Sequence, residues 1–202
     1  YPSAIDGKIP PNDRYVVNPM VALARASATT TRIKLATGAL ILPMHHPIDI
    51  AKQISTLDVY SGGRVIVGVG AGWFKEQMNI MKGNFEHRWG QARESLLAMK
   101  ELWMKDEAEY HGKYVDFPLV QLHPKPVQKP HPPIFLAGFS PNILKRVVKW
   151  ADGWIPNRIP GTMTPIPPEQ MKKHRAALNK LASEAGRDPK SIEIYIFGQK
   201  AD

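Results

Sequence analysis

The apolar run Ile134-Phe135-Leu136-Ala137 stops at Gly138, and Ser140-Pro141 follows with the signal for a helix start. No other stretch restricts the fold as much. Serine is a favoured N-cap, and proline suits the first helical turn, where its missing N–H costs nothing. Leu144, Val147 and Val148 then supply an apolar helix face. The first-turn N–H groups of such a helix lack partners within it, and a glycine turn lets a ligand approach the backbone. Strand, glycine turn and capped helix therefore suit a phosphate group. They also suit an ordinary βα connection with nothing bound, and this stretch alone leaves both open.

The same grammar recurs along the chain. Residues 1–17 read as a loop, and Asn18-Pro19 opens a helix to about Ser27. Ile33 to Thr37 and Ala39 to Leu42 form an apolar strand interrupted at Gly38, which suggests a bulge or a close backbone approach. Met44-His45-His46-Pro47 turns into a helix whose Ile50, Ile54 and Leu57 share one face. Ser61-Gly62-Gly63 ends it. Arg64 to Gly70 is nearly all apolar, as a strand buried on both faces of a parallel sheet requires. A small-residue loop, Gly70-Ala71-Gly72-Trp73, follows, then an excursion over 74–87 and a helix lined by Ala92, Leu96, Met99 and Trp103. A hairpin around Tyr110 to Tyr114 and an ordered proline-rich connector make an insertion at about 106–132. Ala151-Asp152-Gly153-Trp154-Ile155 is a short strand, Met171, Leu178, Leu181 and Ala185 mark a basic amphipathic helix, and Ile192 to Phe197 is the last strand.

Alternation of strands and helices means an α/β architecture. Five strands separated by helices fit an open doubly wound sheet, or part of an eight-stranded barrel of typically about 250 residues. The 202 residues form one domain or most of a larger one. The chain starts at Tyr1 rather than Met, so the expected state is an incomplete barrel lacking its first strands and its last.

The net charge of +9, from 27 basic and 18 acidic residues, favours anionic partners. Its densest run, Lys172-Lys173-His174-Arg175 with Lys180, Arg187 and Lys190, reads as a solvated helix face, because no nucleic-acid motif accompanies it. There is no cysteine, hence no thiol nucleophile or thiolate metal site, and the seven histidines show no HExxH spacing. No metal is expected. No apolar run has the length of a membrane span, and no secretory leader is visible, so the expected location is cytoplasmic, without membrane or nucleic-acid partners.

Several short motifs, in order and at one family's spacing, carry a resemblance. They are Thr30 to Gly38, His46-Pro47, Ala51-Lys52-Gln53, Thr56-Leu57-Asp58, Ser61 to Arg64, Gly68 to Trp73, Lys125 to Gln128, Pro130 to Pro133 and Ala151 to Trp154. Over about residues 10–156 the sequence resembles the luciferase-like, flavin- or deazaflavin-dependent oxidoreductases.

That resemblance implies a (β/α)8 TIM barrel holding coenzyme F420 or FMN at its C-terminal mouth. Thr37, Gly38 and Ala39 would meet the cofactor ring, with a cis peptide at Gly38–Ala39. Gly70, Ala71 and Gly72 would pass beside it, and Gly138, Phe139, Ser140, Asn142 and Ile143 would clamp the phosphate. F420 implies hydride transfer, and reduced FMN with oxygen implies monooxygenation, on a small organic substrate; a homodimer stays open. In the sugar-phosphate dehydrogenase branch a carboxylate follows the small-residue loop, where this chain has Trp73. No catalytic acid or base is assigned. His46 reads as a cap for the helix begun by Pro47, His45 is open, Trp73 is either pocket wall or core, and Asp152 is a turn former rather than an acid. The alternatives are a redox-free phosphate-binding barrel enzyme of isomerase or aldolase type, and a cofactor-binding protein inactive through truncation.

Overall fold

A computed structural model describes residues 16–156 and 166–196. The chain packs as two compact units that divide between Pro132 and Pro133. The expected strand to Phe197 lies partly outside the described residues, as does most of the leading loop.

In the first unit, helix α1 (Pro19–Thr29) begins as its sequence dictates. The Asn18 side chain accepts the N–H groups of Met20 and Val21 at 2.9 and 3.2 Å. Strands β1 (Leu35–Ala36) and β2 (Leu40–Ile41) both pair in parallel with β3 (Val65–Gly70), which is buried along its whole length. Leu42, expected in the strand, instead begins a 3₁₀ turn, Leu42–Met44. The reason is Pro43, which has no N–H to give a ladder and fixes its own φ. Helix α2 (Pro47–Ser61) returns the chain to β3, burying Ile50, Ile54 and Leu57 at 1–3% exposure. Each such side chain stabilises the fold by about 1.5–3 kcal/mol.

A short helix, α3 (Lys75–Ile80), lies inside the 74–87 excursion, too brief for periodicity to announce. Helix α4 (Arg88–Met104) packs on α2, and the buried Trp103 indole donates to the Ala51 carbonyl at 3.1 Å. The expected hairpin is present as antiparallel β4 (Ala108–His111) and β5 (Asp116–Val120). The connector behind it is ordered by specific bonds. The buried Asp58 carboxylate accepts Gln128 N–H at 3.0 Å and Gln128 Nε2 at 2.7 Å, and Lys125 Nζ donates to Leu102 O at the end of α4.

Arg64 explains why a charged residue can open a buried strand. Nε donates to Ser61 O, Nη1 to Thr30 Oγ1 and Ile33 O, and Nη2 to Ser27 O and Thr30 O. All five guanidinium donors are satisfied by neutral oxygens, which ties the end of α1 to the start of β3.

In the second unit, β6 (Ile134–Ala137), β7 (Gly153–Ile155) and β8 (Glu193–Ile194) pair in parallel in that order. Helix α5 (Ile143–Trp150) starts two residues later than Ser140-Pro141 implied, with Asn142 at the N-cap position and no side-chain cap. Ser140 is not the cap. Its carbonyl closes a tight turn by accepting Ile143 N–H at 2.9 Å, and its hydroxyl faces Arg146. Ile143, rather than Leu144, joins Val147 and Val148 in the core. In α6 (Pro168–Glu184) the buried residues are Leu178 and Ala182; Ala185 lies exposed beyond the helix end. Lys172, Lys173 and Lys180 are exposed, but Arg175 bonds Ile192 O at 2.7 Å and Arg187 bonds Ala151 O at 2.6 Å. Among the described residues no helix is long and apolar enough to cross a membrane.

Candidate functional site

The pairing of the first unit breaks register where Gly38 interrupts the apolar run. Ala36 pairs with Ile66 and Leu40 with Val69, so Thr37, Gly38 and Ala39 lie opposite only Val67 and Gly68. The extra residue is a bulge, and the Gly38–Ala39 peptide is cis. Carbonyls of Arg64 and Ile66 accept the N–H groups of Leu35 and Thr37 at 2.9 and 3.3 Å. The next in that alternation, Gly68 O, accepts instead from the Thr37 hydroxyl at 2.7 Å. The buried Thr37 side chain thus closes the ladder that the bulge opens.

The glycine loop lies against this bulge. A Cβ on Gly70 would stand 3.5 Å from Ile41 Cδ1 and 3.8 Å from the Ala39 Cβ, ordinary contact distances. Gly72 is different: its φ is +83°, and a Cβ would come within 2.8 Å of both Ile41 Cγ2 and Met78 Cε. Met78 is fully buried there, and nothing in the sequence marked it. Thr37 to Ala39 and Gly70 to Gly72, more than thirty residues apart, are thereby brought together.

In the second unit the turn after β6 is held from several sides. Trp154 Nε1 donates to Gly138 O at 2.9 Å, Gly138 N–H to Ile155 O at 3.1 Å, and Arg146 Nη1 to Ser140 Oγ at 3.1 Å. Phe139 meets the His174 ring edge-on at 4.7 Å between centroids. His174 Nε2 is buried without a hydrogen-bond partner. Gly138 has φ +133°, and the place of a Cβ is open, its nearest atom being Ile143 Cδ1 at 3.9 Å. Open space above a backbone turn suits the approach of a phosphate group, so the residues fit such a ligand. The Ile143 N–H, however, is already given to Ser140 O. Arg146 and His174 were missed from sequence: one stands on a helix with no motif, the other inside a charged run.

The remaining candidates separate. His46 Nδ1 accepts Ile48 N–H at 3.3 Å, so it is a helix cap. Trp73 is 59% exposed and stacks on Phe74, so it is not core. Asp152 accepts Ile134 N–H at 2.8 Å, a brace between strands rather than an acid. His45 is half-buried, and burial lowers its pKa against the opposing pull of Asp49.

Parallel strands returned by helices and ending in small-residue loops define an α/β protein of the kind that binds ligands at strand C-terminal ends. The chain belongs to the luciferase-like monooxygenase family, whose sequence profile matches residues 6–200. Its fold class is therefore α/β of the luciferase-like barrel type, not a doubly wound sheet. An uncharacterized protein of Mycobacterium tuberculosis is 43% identical over 159 residues, which are 77% of this chain and 55% of that protein. The FMNH2-dependent dimethylsulfone monooxygenase of Pseudomonas putida is 36% identical over 129 residues, 61% of this chain and 35% of the relative. The solved coenzyme F420-dependent tetrahydromethanopterin reductase of Methanopyrus kandleri matches with TM-score 0.72 and 26% identity, over 90% of this chain and 54% of that one. The chain spans about half the length of the first of these relatives.

Proposed function

We propose that this chain forms the cofactor-binding part of an oxidoreductase that uses F420 or reduced FMN on a small organic substrate. The observation that carries the reading is the Thr37 to Ala39 bulge laid against Gly70 to Gly72. A backbone bulge beside a loop of small residues presents little side-chain bulk of its own to a planar ring. When bound, such a cofactor supplies hydride transfer or, with oxygen, monooxygenation. The chain's own part is to bind and orient it: in the first unit the bulge and glycine loop suit a ring, and in the second unit, taken by itself, the turn of Gly138, Phe139, Ser140 and Asn142 suits a phosphate. The Ser140 hydroxyl accepts from Arg146 and keeps its own proton to donate.

Fluorescence titration of F420 and of FMN tests this. Saturable quenching by one of them is the expected result. Gly70→Val pushes a branched side chain against Ile41 and Ala39 at the bulge and is expected to weaken binding about tenfold, roughly 1.4 kcal/mol. If neither cofactor binds wild type, the reading fails, and a redox-free phosphate-binding isomerase or aldolase takes its place.

A further inference from the structure

Apart from the bulge and glycine loop, a half-open cleft of about 280 Å³ lies wholly within the first unit. Met44 and His45 wall it at the entry to α2, Gln91 and Ser95 of α4 line it, Met81 and Lys82 stand beyond α3, and Tyr114 comes from the hairpin turn. The walls are fixed. The Glu94 carboxylate accepts the N–H groups of Tyr114 and Val115 at 2.6 and 3.1 Å, which holds the hairpin turn on α4. Tyr114 lies over Gly90, where a Cβ would approach its ring to 3.1 Å. Gln91 spans the opposite side, donating to Pro43 O at 3.3 Å and accepting Asn84 N–H at 2.9 Å.

Lys82 is the anomaly. Helix α3 ends in a paired cap, with Gly83 N–H on Met78 O at 2.9 Å and Lys82 N–H on Asn79 O at 3.1 Å. In that motif the left-handed position normally belongs to glycine. Here it belongs to Lys82, at φ +59°, and the glycine stands one residue later. Gly83 cannot be spared, since a Cβ there would come within 2.6 Å of Pro43 O and of Met78 Cγ. A lysine is thus held in backbone that disfavours it, at the rim of a cleft. Among the described residues its ammonium has no ion pair, whereas Asp116 across the rim is bonded to His111 Nδ1 at 2.8 Å. Thioethers and an aromatic ring favour a flat apolar partner, and a lone ammonium favours an anion.

We propose that this cleft binds a small aromatic carboxylate, with its ring against Met44, Met81 and Tyr114 and its carboxylate on the Lys82 ammonium. The inference stands independently of the cofactor reading. It is tested on the full chain carrying 13C-methyl methionine, with benzoate, benzamide and acetate as probes. Benzoate is expected to shift the Met44 and Met81 methyl resonances saturably, benzamide to bind about five-fold more weakly for want of the charge, and acetate to leave them unmoved. Lys82→Gly removes the ammonium and relieves the backbone. It should bind benzoate about five-fold more weakly, bind benzamide as wild type does, and melt no lower than wild type. Lys82→Gln, which keeps the side-chain bulk, should give the same loss for benzoate. Unmoved methyl resonances at millimolar benzoate overturn the proposal. So do equal affinities for benzoate and benzamide, or wild-type benzoate affinity in both variants.

Discussion

The hydroxyl of Thr37 donates to the carbonyl of Gly68 at 2.7 Å, at the point where β1 and β2 carry one residue more than β3. The bond satisfies a strand carbonyl that the bulge would deprive of its next main-chain donor. Thr37→Val keeps the shape and removes the donor. It is expected to cost about 1–3 kcal/mol, the penalty of an unsatisfied buried acceptor. Thr37→Ser should recover most of this, as measured by urea unfolding.

Gly70 and Gly72 should respond differently to alanine. At Gly72 the left-handed φ and two contacts at 2.8 Å leave no room, so Gly72→Ala is expected to destabilise by about 1–3 kcal/mol. At Gly70 the added methyl meets only ordinary contacts, so the melting temperature should hold. Thermal unfolding of both variants compares them. An unchanged Gly72→Ala transition would mean that Ile41 and Met78 yield freely.

Asp58 organises the proline-rich connector through two bonds to Gln128. Asp58→Asn leaves one acceptor oxygen where two are used and turns an amide N–H₂ toward a donor. A loss of about 1–3 kcal/mol is expected. Hydrogen exchange at the Gln128 amide should speed up before global unfolding, because the connector loses its anchor first.

The two histidines His45 and His111 pull stability in opposite directions with pH. Burial lowers the His45 pKa below 6.5, so the unfolded chain binds more protons in that range. Its contribution is full above pH 6.5 and is lost as pH falls through the folded value. His111 is raised by its hydrogen bond to Asp116, and its contribution is present below pH 6.5 and lost as pH rises through the folded value. Being largely exposed and screened by solvent, His111 should matter less. Imidazole NMR titration should place His45 below 6.5 and His111 above it; the reverse order would contradict the packing around His45.

Ser140 tests the phosphate turn without confounding the helix, because it is not the N-cap. Ser140→Ala should leave the melting temperature nearly unchanged and weaken F420 or FMN binding by about 1–2 kcal/mol. Ser140→Asp sets a carboxylate beside the proposed phosphate, and should weaken binding more while pairing with Arg146. Wild-type affinity in Ser140→Asp would remove this turn from the cofactor site.

Much of the architecture was legible because it rests on local chemistry. Asn18-Pro19 and His46-Pro47 cap their helices as the residue types dictate, and an unbroken apolar stretch such as Val65 to Gly70 has nowhere to go but a doubly covered strand. The interruption at Gly38 announced a bulge, and the glycine loops announced the ends of strands. What the sequence could not determine was which partner each group would choose. Ser140 has the chemistry of a cap, yet its carbonyl takes Ile143 N–H and its hydroxyl takes Arg146, because a tight turn intervenes before the helix. Arg175 and Arg187 read as solvated charge, but each ends on main-chain carbonyls of its own unit. Met78 became a plug only when Gly72, Gly83 and Ile41 closed around it, and Lys82 took its left-handed backbone only where the end of α3 closed its cap. Capping and periodicity act over a few residues and leave a trace in the chain. A hydrogen bond or a void shared by residues thirty or more apart is decided only when packing brings them together.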